Sequence, residues 1–336
     1  MKARGKADFN QAIETAQGEI MNSMQEIDER TSLTGNNKFE LFLFKLGTSD
    51  HSTSRELFGI NVFKVREIME MPAITAVAGS HPHMLGVVNI RGQIVPVIDL
   101  PMAVGCKSNG LRILMVTEFA RSTQAFAVEE VDEIVRLEWN QVLSAESSVG
   151  GGLVTSIARL DGDTDKTRLA QVLDVEQILR NVLPSGDPDV DKTSIGPQVQ
   201  LPAGSVILAA DDSSLARSLI EKGLEAMGVP YIMTKTGKEA WERLQAISTQ
   251  AAAEGKTAKD KVALVLTDLE MPEMDGFTLT RNIKNDGRFA TIPVVIHSSL
   301  TGSTNEDHVK GVGADGYVAK FVAAELAETI RKVLAR

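Results

Sequence analysis

Between residues 205 and 336, five apolar segments alternate with five amphipathic segments, and this alternation restricts the fold more than any other feature. The apolar segments are short and end abruptly, as in SVILAAD and VALVLTD. The amphipathic segments, such as SSLARSLIEKGLEAMG, repeat apolar residues every three or four positions. Strands that alternate with helices require right-handed crossovers and a mostly parallel sheet. We therefore predict a doubly wound α/β domain with a five-stranded parallel sheet over residues 204–336.

Residues 38–183 have a different pattern. Short segments rich in β-branched and aromatic residues, such as KFELFLFKL, MLGVVNI and QIVPVIDL, are separated by Gly, Asn, Asp and Ser. This spacing is typical of an antiparallel sandwich or barrel. The segment DVEQILRNVL, at 174–183, predicts a short closing helix. The chain is thus expected to be multidomain, with a mainly-β domain before the α/β domain.

Two further segments frame these domains. Residues 184–203 contain four prolines, several Gly and Asp, and few large apolar side chains, which predicts an interdomain linker. Within the N-terminal segment 1–37, apolar residues between 8 and 30 recur on one face of a predicted helix. That helix either packs on its own protein or serves as a docking or dimer helix, and the pattern leaves both open.

Charge and composition exclude several classes of function. The formal net charge of −10 argues against general nucleic-acid binding, although it leaves room for a local basic patch. Cys106 is the single cysteine, so no intrachain disulfide forms and a reducing compartment is expected. No apolar run approaches the ~20 residues of a membrane span, and the polar N-terminus predicts no secretory signal. We expect a cytoplasmic protein.

Polar side chains stand where the predicted parallel strands end. Asp211 and Asp212 follow the first strand, Asp268 the third, Ser298 the fourth and Lys320 the fifth. Ligands of open α/β sheets bind beyond these carboxyl ends, so the groups converge if the four strands are neighbours. Three carboxylates repel one another unless a cation lies between them, and hard oxygen ligands suit Mg²⁺. A hydroxyl and an ammonium beside them suit a phosphoryl group; the alternative is a set of separate, solvent-facing polar residues.

This arrangement resembles the response-regulator receiver domain over residues 204–336, with DLEMPEMDG as its most specific segment. The resemblance implies that Asp268 is the phosphoacceptor, whose carboxylate attacks the phosphoryl group of a kinase phosphohistidine. It also implies that Mg²⁺ is bound by Asp211, Asp212, Asp268 and the backbone carbonyl of Glu270.

The resemblance implies further roles and has two departures. Ser298 and Lys320 would bind phosphoryl oxygens, and Tyr317 would be the aromatic switch that moves with Ser298. The family usually has Pro after this lysine, whereas Phe321 follows here; a trans bond or strain is expected, because a cis bond before a non-proline residue costs ~2.5–4 kcal/mol. Glu270 also stands where smaller or neutral side chains are common. We hypothesise that its charge alters the lifetime of the phosphorylated state.

The mainly-β region resembles the CheW-type coupling domain of bacterial chemotaxis, most specifically in GVVNIRGQIVPVIDL. In that family two small five-stranded barrels form a platform between chemoreceptors and the histidine kinase CheA. The resemblance implies that Arg91 and Gly92 form the family's Arg-Gly turn and that Glu67 pairs with Arg91 near the receptor-binding surface. The pair serves either partner choice or structure alone.

Other residues of the mainly-β region leave their alternatives open. Val65, Val87 and Ile90 belong either to the core or to the partner-binding surface. His81 and His83 flank a proline without a nearby cysteine. A loop turn is therefore favoured over a metal site.

A coupling domain followed by a receiver resembles the CheV-type chemotaxis proteins. The resemblance implies a chemotaxis adaptor, not an enzyme, that binds methyl-accepting chemoreceptors and CheA. Phosphorylation would then give adaptation or draw phosphoryl groups away from other regulators. A transcriptional response regulator would need a basic helix-turn-helix, for which we see no segment. An aspartate-nucleophile phosphatase commonly has a second Asp two residues after the nucleophile, where Glu270 stands.

Overall fold

The computed structural model describes residues 15, 17, 18, 38–49, 54–119, 122–145, 152–162, 166–183, 195–298, 312–320 and 322–335. The chain divides into two compact units, 1–185 and 186–336. Most of the helix predicted over residues 8–30 lies outside the described residues, and residues 15, 17 and 18 are helical. Most of the segment NEDHVKGVG, predicted as a short helix, and the residue Phe321 also lie outside them. No helix in the described ranges is long and apolar enough to cross a membrane.

The first unit is built from short strands in two larger sheets and one small pair. The strands are β1 (Phe39–Lys45), β2 (Thr48–Ser49), β3 (Leu57–Asn61), β4 (Val65–Glu70), β5 (Met84–Ile90), β6 (Gln93–Asp99), β7 (Cys106–Lys107), β8 (Ile113–Phe119), β9 (Ser122–Val128), β10 (Glu130–Leu137), β11 (Val142–Ser144), β12 (Val154–Arg159) and β13 (Leu169–Leu173). One sheet has the order β10-β1-β3-β13-β12-β11, the other β4-β8-β9-β6-β5, and β2 pairs with β7. Between residues 38 and 183, the described part of this unit also has the helices α1 (Leu100–Ala103) and α2 (Val175–Val182).

Each larger sheet curls around a core of its own. Apolar residues of the six-stranded sheet form one cluster and those of the five-stranded sheet another. A third cluster takes residues from both sheets and from α2. Strand β1 serves two of these clusters, because Leu41 and Leu43 face one and Phe42 and Phe44 the other. The predicted mainly-β double barrel is confirmed, although the larger sheet has six strands, β11 lying at its edge.

The five-stranded sheet is closed by contacts between its two edges. Thr75, which follows β4, exchanges two backbone hydrogen bonds of 2.9 and 2.8 Å with Val87 of β5. The closure therefore satisfies backbone groups that an open edge would leave exposed, and it brings the β5–β6 turn beside β4.

The second unit is the predicted doubly wound α/β domain. Its strands are β14 (Val206–Ala210), β15 (Tyr231–Thr234), β16 (Val262–Thr267), β17 (Val294–Ser298) and β18 (Gly316–Ala319). Its helices are α3 (Ser214–Met227), α4 (Gly237–Ala253), α5 (Gly276–Asn285) and α6 (Ala323–Leu334). All strand pairs are parallel, in the order β15-β14-β16-β17-β18. The fold class predicted from the strand and helix alternation is confirmed.

Local sequence signals set the ends of α3. Ser213 caps the helix, its hydroxyl accepting from the Ala216 amide at 3.3 Å. Gly228 ends the helix at φ +72°, a conformation that favours glycine. The first acidic pair is thereby held on the short connection between β14 and α3.

The second half of the predicted linker packs on the α/β unit. Ile195 is 2% exposed and Val199 is 6% exposed, and both join the apolar cluster formed by α3, α6 and the sheet. We refer to residues 195–201 as the strap. The first half of the predicted linker, 184–194, lies outside the described residues.

Candidate functional site

The strand order places the predicted acids at one edge of the sheet. Strands β14 and β16 are neighbours, and β17 and β18 follow β16. Asp211, Asp212 and Asp268 each offer a carboxylate oxygen, and these three atoms lie within 4.8 Å of one another. The predicted convergence of residues far apart in sequence therefore occurs in the folded domain.

Several hydrogen bonds hold Asp268 in place, including one that the Thr267 hydroxyl donates to its carbonyl at 2.9 Å. Its backbone amide donates to the Ala210 carbonyl at 2.9 Å, which joins the end of β16 to the end of β14. Its Oδ1 accepts from the Leu269 amide at 2.7 Å, and its Oδ2 accepts from Lys320 Nζ at 2.8 Å. The residue is 5% exposed. Its carboxylate is therefore fixed in orientation and largely removed from water.

Lys320 bridges two of the acids. Its Nζ lies 2.8 Å from Asp268 Oδ2 and 2.9 Å from Asp211 Oδ2, and the side chains of Lys320 and Asp211 are 2% and 0% exposed. Since three carboxyl side chains meet one ammonium group here, the formal charge of the cluster at pH 7 is negative. Burial of excess charge is costly, so the donor set fits a small divalent cation with a preference for oxygen.

Ser298 and Tyr317 lie on the two strands beyond Asp268. Ser298 is the last residue of β17 and is 1% exposed; its carbonyl accepts from the Lys320 amide at 2.9 Å. Tyr317 is half-buried on β18 and pairs with Ile296 in the ladder. Glu270 is half-buried in the loop that follows Asp268. The predicted acids, Ser298 and Lys320 thus lie at or beside the carboxyl edge, whereas Tyr317 lies within β18.

Sequence reasoning missed two residues that shape this edge. Arg217 of α3 donates from Nη1 to the carbonyls of Asp211 and Asp212, at 2.9 and 2.8 Å. Gly276 begins α5, and a Cβ there would lie 2.0 Å from the Asp268 carbonyl oxygen. In the sequence these residues are visible only as an arginine in the first turn after the acidic pair and a glycine at the start of a helix. Neither feature by itself predicts a contact with the site.

The mainly-β unit carries a second candidate site at the β5–β6 turn. Arg91 and Gly92 form a two-residue turn with φ values of +50° and +88°. The Asn89 side chain accepts from the Gly92 amide at 2.8 Å. Arg91 donates to Glu67 of β4 at 2.8 Å, the pair that the resemblance implied. The left-handed conformation costs a non-glycine residue roughly 1–2 kcal/mol, so Arg91 occupies this position at a local energetic cost.

The residues around this turn differ in how far their side chains are exposed to solvent. The Arg91 side chain is 73% exposed, whereas that of Glu67 is 15% exposed. Ile94, two residues after the turn, is 62% exposed and was not predicted from sequence. Val87 and Ile90 are half-buried, but Val65 is fully buried in the core shared by the two sheets. The structure therefore places Val65 in the core and not on a surface open to a partner.

His81 and His83 lie together in the loop before β5. Their rings are 4.8 Å apart, edge to face, and the His83 amide donates to His81 Nδ1 at 3.2 Å. That hydrogen bond uses one of the ring nitrogens that a metal would need.

Comparison with known families assigns each unit. Residues 40–183 match the CheW-like domain, and residues 207–331 match the response regulator receiver domain.

Two relatives align with this chain over nearly its whole length. The chain is 29% identical over 329 residues to chemotaxis protein CheV2 of Helicobacter pylori, covering 93% of this chain and 99% of that protein. It is 28% identical over 338 residues to CheV1 of the same bacterium, covering 94% and 99%. Chemotaxis protein CheY1 of Helicobacter pylori is 32% identical over 130 residues, which is 38% of this chain and 95% of that protein. The chain therefore belongs to the CheV-type family of chemotaxis proteins, in which a CheW-like coupling domain is joined to a response-regulator receiver domain.

Proposed function

We propose that this protein couples chemoreceptors to the histidine kinase CheA in the cytoplasm, and that CheA phosphorylates its receiver domain on Asp268. The observation that carries the proposal is the buried cluster in which Asp268, Asp211 and Lys320 meet. A buried carboxylate with a fixed orientation, beside further acids and one ammonium group, suits acceptance of a phosphoryl group.

The chemistry at Asp268 is a displacement at phosphorus. A carboxylate oxygen forms the new O–P bond, and the N–P bond of the kinase phosphohistidine breaks, leaving the electron pair on the imidazole nitrogen. Oδ1 is held by the Leu269 amide and Oδ2 by Lys320, so the carboxylate needs no large rearrangement to be oriented. Lys320 and the Ser298 hydroxyl then serve as donors to phosphoryl oxygens.

A Mg²⁺ ion is the expected cofactor of this reaction. Asp211, Asp212 and Asp268 would hold it, with the carbonyl of Glu270 as the fourth protein ligand. When bound, the ion supplies positive charge that offsets the charge of the transferring phosphoryl group. The side chain of Glu270 works against that charge because it adds a carboxylate in the same loop.

The β5–β6 turn supports a role in binding chemoreceptors. Arg91 is exposed yet held in place by Glu67, and Ile94 adds an exposed apolar side chain nearby. Arginine is enriched among the residues that contribute most to binding at protein interfaces. Phosphorylation of Asp268 would alter this coupling, giving adaptation, or would withdraw phosphoryl groups from other regulators.

We propose an adaptor in place of a multiple-turnover enzyme. The receiver's acceptance and loss of one phosphoryl group are events on its own side chain. Glu270 stands where aspartate-nucleophile phosphatases carry their second aspartate.

The proposal is tested by transfer of ³²P from phospho-CheA to the full-length protein and to Asp268→Ala, each with Mg²⁺ and with a chelator. We expect Mg²⁺-dependent label on the wild type and none on the variant. Asp286→Ala is a matched control, because Asp286 pairs with Arg288 at the surface, away from the cluster. Equal labelling of the wild type and Asp268→Ala would refute the assignment.

Glu270 gives a second test of the same site. Because its charge opposes a phosphorylated Asp268, we expect Glu270→Asn to change the dephosphorylation rate, with Glu273→Gln in the same loop as control. The lifetime of the ³²P label measures this. Equal lifetimes for wild type and Glu270→Asn would remove Glu270 from the regulation of the site.

A further inference from the structure

The strap is attached to the receiver by polar and apolar contacts. Arg331 of α6 donates from Nη1 to the carbonyls of Ile195 and Pro197, both at 2.9 Å. The Ile195 and Val199 side chains are buried in the same cluster as residues of α3 and α6. Two backbone carbonyls that accept hydrogen bonds and two buried apolar side chains therefore attach the strap to the receiver.

The chain is shaped to make these contacts. Gly196 has φ +78°, and a Cβ there would come within 3.3 Å of the Arg331 guanidinium. At the end of α3, a Cβ on Gly228 would lie 3.6 Å from the side-chain nitrogen of Gln198. The strap therefore lies beside both helices, and at Gly196 a side chain would be tight against the Arg331 guanidinium.

The helix that holds the strap is joined to the acidic cluster. Lys320, which bridges Asp211 and Asp268, precedes the start of α6 by three residues. At the other end of β18, a Cβ on Gly316 would lie 3.1 Å from side-chain carbons of Thr329 and Val333 in α6. Strand β18 and α6 are thus closely packed at Gly316, so we expect a displacement of one to be passed to the other.

We propose that the strap is docked when Asp268 is unphosphorylated and is released when Asp268 is phosphorylated; the coupling rests on the proposed function. A phosphoryl group on Asp268 offers Lys320 new acceptor oxygens and draws its Nζ away from Asp211. The end of β18 and the start of α6 then shift, and Arg331 moves relative to α3. Because Ile195 and Val199 pack against both helices, that shift weakens their docking.

Release changes the reach of the tether. With the strap docked, 11 residues, 184–194, lie between the coupling domain and the strap, and they span at most about 40 Å when extended. With the strap free the connecting segment has 18 residues, 184–201, and spans at most about 65 Å. Phosphorylation would therefore lower the effective concentration of one domain near the partners of the other.

Limited proteolysis of the full-length protein tests this proposal. Thermolysin cleaves before large apolar residues, so cutting before Ile195 and Val199 reports strap release, and cutting before Val190 is an internal reference outside the strap. Cleavage would be followed by mass spectrometry with and without Mg²⁺ and beryllofluoride, a phosphoryl analogue, whose binding is measured separately by ¹⁹F NMR. Coupling between sites commonly amounts to a factor of five or more, so we expect strap cleavage to accelerate at least about fivefold with the analogue.

Variants separate docking from coupling. Arg331→Ala should accelerate strap cleavage without the analogue, whereas Lys332→Ala, at an exposed neighbouring position, should cleave as the wild type does. Arg331→Lys retains the charge and serves if the alanine variant fails to fold. By reciprocity, Arg331→Ala should bind the analogue more tightly by the same factor. Asp268→Ala should show no response to the analogue.

The outcomes distinguish three failures. Binding of the analogue with unchanged strap cleavage would overturn the coupling and leave the phosphoacceptor site intact. No binding of the analogue would overturn the proposed function and the coupling with it. Equal cleavage of Arg331→Ala, Lys332→Ala and wild type would overturn the docking itself.

Discussion

Replacing Gly276 by alanine tests how the phosphoacceptor loop is held. The added Cβ would lie 2.0 Å from the Asp268 carbonyl oxygen and 3.1 Å from the Leu269 Cα. Contacts below 3.0 Å are essentially never found for a Cβ, so the backbone of Asp268 or the start of α5 must move by about 1 Å. Neither neighbour is the end of a flexible side chain. The shift therefore reaches the residue that we propose accepts the phosphoryl group.

The magnitude follows from this displacement. Overpacking of a well-packed site typically costs about 1–3 kcal/mol. For a unit of about 150 residues, a cost of about 2 kcal/mol lowers the Tm by about 4–8 °C. A misplacement of about 1 Å at a reacting group can reduce the rate about 100-fold. We expect both effects in Gly276→Ala.

Two measurements and one control check this prediction. Trp241 contacts Phe289 with ring centroids 5.4 Å apart, so its fluorescence reports unfolding of the receiver in a Trp139→Phe background. The rate of ³²P transfer from phospho-CheA reports the site. Gly287→Ala is the matched control, because a Cβ there meets nothing within 4 Å. If Gly276→Ala matched Gly287→Ala in both Tm and transfer rate, the close contact at Asp268 would be of no consequence and the reasoning would be wrong.

Three further predictions concern other contacts. Arg217→Ala should weaken Mg²⁺ binding about tenfold in calorimetric titration, because loss of a charge-assisted hydrogen bond costs about 1.5–3 kcal/mol. The substitution also leaves the carbonyls of Asp211 and Asp212 without the Arg217 donor. Arg281→Ala, at an exposed position, should leave the Kd for Mg²⁺ unchanged. A double-mutant cycle of Glu67→Gln and Arg91→Ala should give a coupling free energy of unfolding below about 1 kcal/mol, since Arg91 is largely exposed. Receptor binding should fall by about tenfold in the same variants, as expected for a hot-spot residue. A larger coupling in stability with unchanged receptor binding would make the pair structural. Burial opposes ionisation of Glu130, but hydrogen bonds and charges from Arg55 and Lys45 outweigh it and hold the pKa of Glu130 below its ordinary 4.5. The stabilisation of the wild type over Glu130→Gln should therefore be present above pH 4.5 and disappear as the pH falls below it, and a difference that persists unchanged to pH 3 in thermal unfolding would contradict this.

Much of the receiver could be predicted because its determinants repeat along the chain. Alternating strands and helices leave few topologies open, and the carboxyl ends of parallel strands lie at one edge. The convergence of Asp211, Asp212, Asp268, Ser298 and Lys320 followed from that geometry. The mainly-β unit was harder, because barrels join strands distant in sequence, and the pairing of Glu67 with Arg91 was expected from resemblance alone.

Some predictions from composition gave only part of the answer. A segment rich in proline predicted a linker over 184–203, whereas two of its apolar residues, Ile195 and Val199, are buried in the receiver. Composition averages over a segment, and burial depends on whether individual side chains find a matching surface. Val65 is a similar case, since a valine in a strand suits either a core or an interface until its neighbours are known.

The sequence by itself determined the order of the domains, the fold class of each and the chemical character of the acidic edge, because these depend on periodicity and on the residue types at strand ends. Only the tertiary structure decided which groups touch. Lys320 bridges Asp211 and Asp268, Gly276 lies against the Asp268 carbonyl, and Arg331 holds the strap. These contacts join residues between 8 and 136 positions apart along the chain. Distances of that kind are set by how helices and strands pack in three dimensions, and no local pattern encodes them.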